Sequence, residues 1–169
     1  MYGSLYFQIA SLIYILMLTV IFFRKKKLYT IENEIYAFLI IVNVIGVVVD
    51  LLSTYLAITD FNNPLLNPVS RLYLSYLIGF LLTFTVYSNI FTEVCDWSEK
   101  RKYLRLKKLR LIMLILYVLG TILVFKLPLY NHAENGKIYT YGPAATITYV
   151  FGALAIISWV IMIIRNRKK

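Results

Sequence analysis

Residues 35–58 read IYAFLIIVNVIGVVVDLLSTYLAI, twenty-four positions with a single charge, Asp50. A helix that crosses a bilayer needs ~20 apolar residues at a rise of ~1.5 Å each. In lipid, backbone polar groups must be satisfied within the segment, so a stretch of this kind is expected to be a transmembrane helix. Four more stretches of similar length and character follow the same pattern, at 5–23, 72–91, 111–130 and 144–164. The expected fold is therefore all-α, a polytopic transmembrane bundle of five spans. Residues 1–169 form a single membrane domain, and any chemistry lies between helices or in short loops.

Composition supports this reading. Hydrophobic residues make up 60% of the chain and the mean hydropathy is +0.73, well above a soluble domain. The net charge of +10 does not point to nucleic acid, because of where it sits. Fifteen of the eighteen Lys and Arg residues fall in three clusters, at 24–27, 100–110 and 165–169. Alternating spans put all three clusters on one side, and the positive-inside rule makes that side cytoplasmic. The expected topology is N-out, C-in, in a cell membrane. The first span has no basic segment before it and reads as a retained anchor. The lone cysteine, Cys95, is expected at the cytoplasmic end of the third span as a small, reduced thiol.

The loops are short. Thr30 is an expected N-cap for the second helix. The run KRKYLRLKKLR at 100–110 is expected to be helical and to lie at the headgroup level, leucines inward and basic groups toward anionic lipid. Outside, the segment 60–71 holds Pro64 and Pro68 and reads as a turn-rich cap. Asn135-Gly136 is a type I′ turn signal, and the strand-forming, alternating KIYTY follows it at 137–141. A β-hairpin is expected near 130–141, ending at Gly142-Pro143 where the fifth helix begins. It is read either as a lid over a ligand site or as a connector.

Charge inside a membrane is costly and marks a functional hypothesis. Asp50 and Lys126 each lie ~15 residues from the cytoplasmic start of their helix, ~22 Å up, so they are expected to pair if their helices are neighbours. Gln8, Ser11, Asn43, Ser53, Thr54, Ser75, Tyr76, Thr146, Thr148 and Tyr149 occupy a similar level. Asp50, Asn43, Thr54, Lys126, Tyr76 and Tyr149 make up the candidate ligand site, for a small ligand whose identity stays open. The competing reading is that these groups only fix helix packing. The small residues Ala144, Thr148 and Gly152, with Gly79 and Thr83, are expected at internal packing seams. Tyr2, Tyr6, Tyr36, Tyr73, Tyr130 and Tyr141 are expected to form interfacial aromatic belts.

The sequence holds no nucleotide-binding glycine loop, no metal-ligand cluster and no catalytic Ser/His/Asp set, and its one histidine is His132. No catalytic residue, cofactor or metal site is expected. The bilayer is the expected partner, and nucleic acid is not.

The succession RKKK at 24–27, TIENEIY at 30–36 and IVNVIG at 41–46, with an acid at Asp50, resembles the N-terminal membrane region of sensor histidine kinases from Firmicutes. The YGPA at 141–144 and the later basic stretch are similar too, and the resemblance runs over essentially the whole chain. It implies a six-span region leading into a dimerisation and phosphoacceptor helix pair and an ATP-binding domain. These 169 residues would then be the N-terminal part of a longer protein, with the sixth span and kinase domains beyond Lys169. The acid of helix two is often Glu in such proteins. The implied function is reception of a signal by a two-component kinase, with homodimerisation through the parent kinase. The alternative is a small stand-alone transporter or membrane-assembly subunit.

Overall fold

A computed structural model of the chain describes residues 3–24, 31–92, 99–134 and 137–166. Five helices and one hairpin follow in order: α1 (Gly3–Arg24), α2 (Ile31–Thr59), α3 (Leu66–Thr92), α4 (Glu99–Lys126), β1 (Tyr130–Glu134), β2 (Lys137–Tyr141) and α5 (Pro143–Asn166). Each helix contains a stretch long and apolar enough to cross a membrane: Leu5–Arg24, Asn33–Thr59, Leu66–Asn89, Lys107–Lys126 and Pro143–Ile164. The chain is a multi-pass membrane protein of five candidate spans.

The helices do not form a closed ring. α1 packs on α2, α2 on α3, and α3 also on α4 and α5, which touch each other. α3 is thus the central helix. Its sequence explains why, since Ser70, Ser75, Gly79 and Thr83 keep it slim enough for neighbours on several sides. Ser70 and Ser75 are buried, and Ser75 Oγ and Thr83 Oγ1 donate to the carbonyls of Arg71 and Gly79 one turn back. Such back-bonding satisfies a hydroxyl without exposing it to lipid.

The two ends of the bundle differ. At the end bearing Arg24, Lys107, Lys108 and Arg110, the rings of Phe22, Tyr36 and Tyr87 meet in a chain from α1 through α2 to α3, the first pair edge-on and the second tilted, with centroid separations of 4.9 and 5.7 Å. At the hairpin end, Leu74, Ile78, Val124, Leu129, Ala144 and Ala145 form the main core. Ile78 and Val124 are fully buried there. Ala144 and Thr148 are buried, so the small residues of α5 serve internal packing, as their spacing implies. Gly120 makes room for both Ile78 and Phe151 at this level.

The strands pair antiparallel in the register Tyr130↔Tyr141, Asn131↔Thr140, His132↔Tyr139, Ala133↔Ile138 and Glu134↔Lys137. This leaves a two-residue connection at 135–136, as the Asn135-Gly136 signal requires. The turn itself, like the Thr30 cap, Cys95 and residues 25–27 and 167–169 of the basic clusters, lies outside the described residues. Thr140 Oγ1 donates to Asn131 Oδ1 at 2.9 Å across the ladder, and the Tyr130 and Tyr141 rings lie 5.5 Å apart. Gly142 then adopts φ +117°, a conformation L side chains rarely take. A Cβ there would meet the Pro128 carbonyl oxygen at 2.9 Å. Pro143 follows at the first position of α5, where its missing N–H costs nothing.

Three expectations change. α3 begins at Leu66, ahead of the expected 72, so the expected cap at 60–71 shrinks to a short turn. Pro68 sits in the first turn, where no intrahelical N–H is needed. Asn63 Oδ1 accepts from the Leu65 N–H at 2.9 Å just before it. The run 100–110 is helical as expected, but it is the first part of α4 itself. Its last residues, from Lys107, belong to the candidate span itself. Tyr73, expected in an interfacial belt, is half-buried in a ladder of rings along α3, with Tyr76, Phe80 and Phe84 spaced 6.0 to 6.1 Å apart.

Candidate functional site

The Asp50 carboxylate lies half-buried within α2. Its partner comes from α1: Gln8 Nε2 donates to Asp50 Oδ2 at 2.8 Å and to Thr54 Oγ1 at 2.8 Å. Asp50 and Thr54 stand one turn apart on α2, so one amide can bridge them. The other atom of that amide, Gln8 Oε1, is buried and makes no hydrogen bond within the protein. Buried acceptors in this state are few in folded proteins and mark a place where a donor from elsewhere fits.

A second polar contact lies on the α2–α3 seam. Tyr76 Oη donates to Asn43 Oδ1 at 2.8 Å. Its ring crosses α2 at Gly46, where any Cβ would fall 1.9 Å from the ring carbon Cζ. Tyr73 and Tyr76 both lie within electrostatic range of Asp50, and Tyr149 within range of Tyr73. Ser53 and Ser70 hydroxyls meet at 3.3 Å on the same seam. The structure therefore draws Asp50, Thr54, Asn43 and Tyr76 together, with Gln8 and Tyr73 added. Tyr149 stands at the edge of the group, largely outward-facing.

Lys126 is not part of it. It is exposed at the last residue of α4, and α3 packs between α2 and α4. The expected ion pair with Asp50 does not form: α2 and α4 share no major seam, and Lys126 ends α4 whereas Asp50 stands nine residues before the end of α2. The basic residue that does enter the bundle is Arg71. Its Nη1 donates to the carbonyls of Val124, Phe125 (3.0 Å) and Leu127 (2.8 Å), and its Nε to Asn67 Oδ1 at 2.8 Å. These are carbonyls at the C-terminus of α4, which lack intrahelical donors and attract a cation. The one signal in the sequence was that Arg71 stands outside the three basic clusters.

The hairpin links α4 to α5, and the residues beside it, Leu129 and Ala144, belong to the packed apolar core. The polar group lies among α1, α2 and α3. Among the described residues, no cluster of His, Cys, Asp and Glu is placed to hold a metal ion.

The bridge gives a direct prediction. A double-mutant cycle of Gln8→Leu and Asp50→Leu, followed by unfolding in mixed micelles, should return a coupling of ~0.6 to ~1.7 kcal/mol. The cycle of Asp50→Leu with Lys126→Met should be additive. Coupling in the second cycle and none in the first would reverse the assignment of partners.

No protein-family model, no curated protein and no solved structure matches this chain.

Proposed function

We propose that this chain is the signal-receiving membrane domain of a two-component histidine kinase, oriented N-out and C-in. The observation that carries the reading is the Asp50–Gln8–Thr54 bridge with its open acceptor. A carboxylate in a membrane span is costly, and an apolar residue in its place would be cheaper to keep in lipid. A half-satisfied polar group is poor packing glue but a suitable receiver for a small polar ligand or for a shift of one helix against another. α1 contacts only α2 to any extent, so a change at Gln8 alters the one main seam that holds α1. Motion there would pass through Gly46 and Tyr76 into α3, the central helix, and so to α5.

Two measurements test this. Labels at residues 2 and 139 should react from outside intact cells, and labels at 107 and 108 only after permeabilisation. The reverse pattern would overturn the orientation. The coding frame after Lys169 should continue into a cytoplasmic region with a phosphoacceptor histidine in a helical pair. A stop codon there would defeat the kinase reading and favour a small stand-alone transporter or assembly subunit.

A further inference from the structure

On the side of α3 that faces α4, the helices part to leave a groove of about 590 Å³. α3 forms its floor with Gly79 and Leu82, α2 one wall with Phe38 and Val42, and α4 the other with Met113 and Leu114. The lining is almost wholly apolar. Two of its hydroxyls are already spent, Thr83 on the Gly79 carbonyl and Tyr76 on Asn43. A water-filled vestibule would not be built this way, whereas a hydrocarbon chain fits it.

Its length points the same way. Along α2 the lining runs from Glu34 to Ile45, ~16 Å at 1.5 Å per residue. One leaflet of a ~30 Å hydrocarbon core is ~15 Å deep. The groove therefore begins at the headgroup level and ends near the bilayer midplane. Its mouth is marked by Arg110 on α4 and Glu34 on α2, both exposed. Lys107 and Lys108 stand beside Arg110 on the same helix and are also exposed.

We propose that this groove is a binding site for one anionic glycerophospholipid of the leaflet at the basic end. One acyl chain lies between α2 and α4 on Gly79. The phosphate meets the Arg110 guanidinium, a charge-assisted contact, within the positive field of Lys107 and Lys108. Glu34, a carboxylate at the opposite lip, accepts from a headgroup hydroxyl and disfavours a headgroup with a second anionic group. The site is separate from the Gln8–Asp50 bridge and does not depend on the signalling reading.

The test uses the whole chain, purified in mild detergent and given equal amounts of phosphatidylglycerol and phosphatidylcholine with identical acyl chains. Native mass spectrometry reads the lipid retained. One phosphatidylglycerol per chain is expected in preference to phosphatidylcholine. Arg110→Gln should reduce its retention about tenfold, the loss of one charged hydrogen bond. Val42→Trp, which fills the groove, should reduce retention of both lipids, and so should the milder Leu114→Phe, with helix content checked by circular dichroism. Met17→Leu, outward-facing on α1, should change nothing. Glycerol phosphate without tails should not compete. Equal retention of the two lipids by the unaltered chain, or phosphatidylglycerol retention unmoved by Arg110→Gln, overturns the proposal and leaves only annular lipid.

Discussion

Gly46→Ala should destabilise the bundle by about 2–4 kcal/mol, and Gly46→Val by more. The added Cβ would fall 1.9 to 2.3 Å from three carbons of the Tyr76 ring, inside the ring's own volume. The ring must swing off α2. It then gives up the 2.8 Å bond to Asn43 and its place in the ladder between Tyr73 and Phe80. Overpacking of this kind typically costs ~1–3 kcal/mol, and an interhelical hydrogen bond in a membrane adds about 0.6–1.7 kcal/mol. Unfolding in mixed micelles measures the total. The companion experiment separates this cause from a general intolerance of α2: with Tyr76→Ala already in place, Gly46→Ala should be close to neutral. A silent Gly46→Ala beside the native Tyr76 would show that the ring does not cross at this glycine.

Arg71→Met should loosen the hairpin end of α4 and cost about 2–3 kcal/mol. The helix ends at Lys126, so its last carbonyls have no backbone donor of their own. The Leu127 N–H reaches back to Leu123 at 3.0 Å, and Arg71 takes Val124, Phe125 and Leu127. Methionine keeps the hydrophobic stem and removes both the donors and the positive charge at the negative helix end. Hydrogen bonds to a charged donor contribute ~1.5–3 kcal/mol. Amide hydrogen exchange over 121–131 should rise while exchange in α2 holds. Arg71→Lys should fall between, since an ammonium offers a point charge without the planar fork. Unchanged exchange over 121–131 in Arg71→Met would remove Arg71 from this role.

Both predictions concern residues whose importance a reading of the chain alone passes over. Gly46 sits in an apolar run with nothing to distinguish it from Gly120. Only the approach of Tyr76 from another helix gives it a task. Arg71 precedes a span and looks like a solvent-facing charge, and the carbonyls it binds are more than fifty residues away. Asp50 and Lys126 show the converse. The pairing drawn from counting residues needed the two at one level and α2 and α4 side by side, whereas Lys126 ends α4 and Asp50 stands nine residues before the end of α2. Gln8, which does hold Asp50, was visible only as one of several polar residues at that level.

What the sequence alone determined is local. Twenty or so apolar residues form a spanning helix wherever they fall, because the backbone has no other way to satisfy itself in lipid. Asn135-Gly136 followed by an alternating strand sets a hairpin and its register, because turn length fixes which residues face each other. Gly142-Pro143 starts α5, because one residue permits a positive φ and the next needs no amide hydrogen. Which helix lies against which was settled only by the tertiary structure. In water the apolar stripe of a helix announces the face that turns inward. In a bilayer the lipid is as apolar as the neighbouring helix, so that stripe carries no direction. The order α1–α2–α3, with α4 and α5 also packed on α3, depends instead on fit: Tyr76 over Gly46, Ile78 against Gly120, and the amide of Gln8 across Asp50 and Thr54.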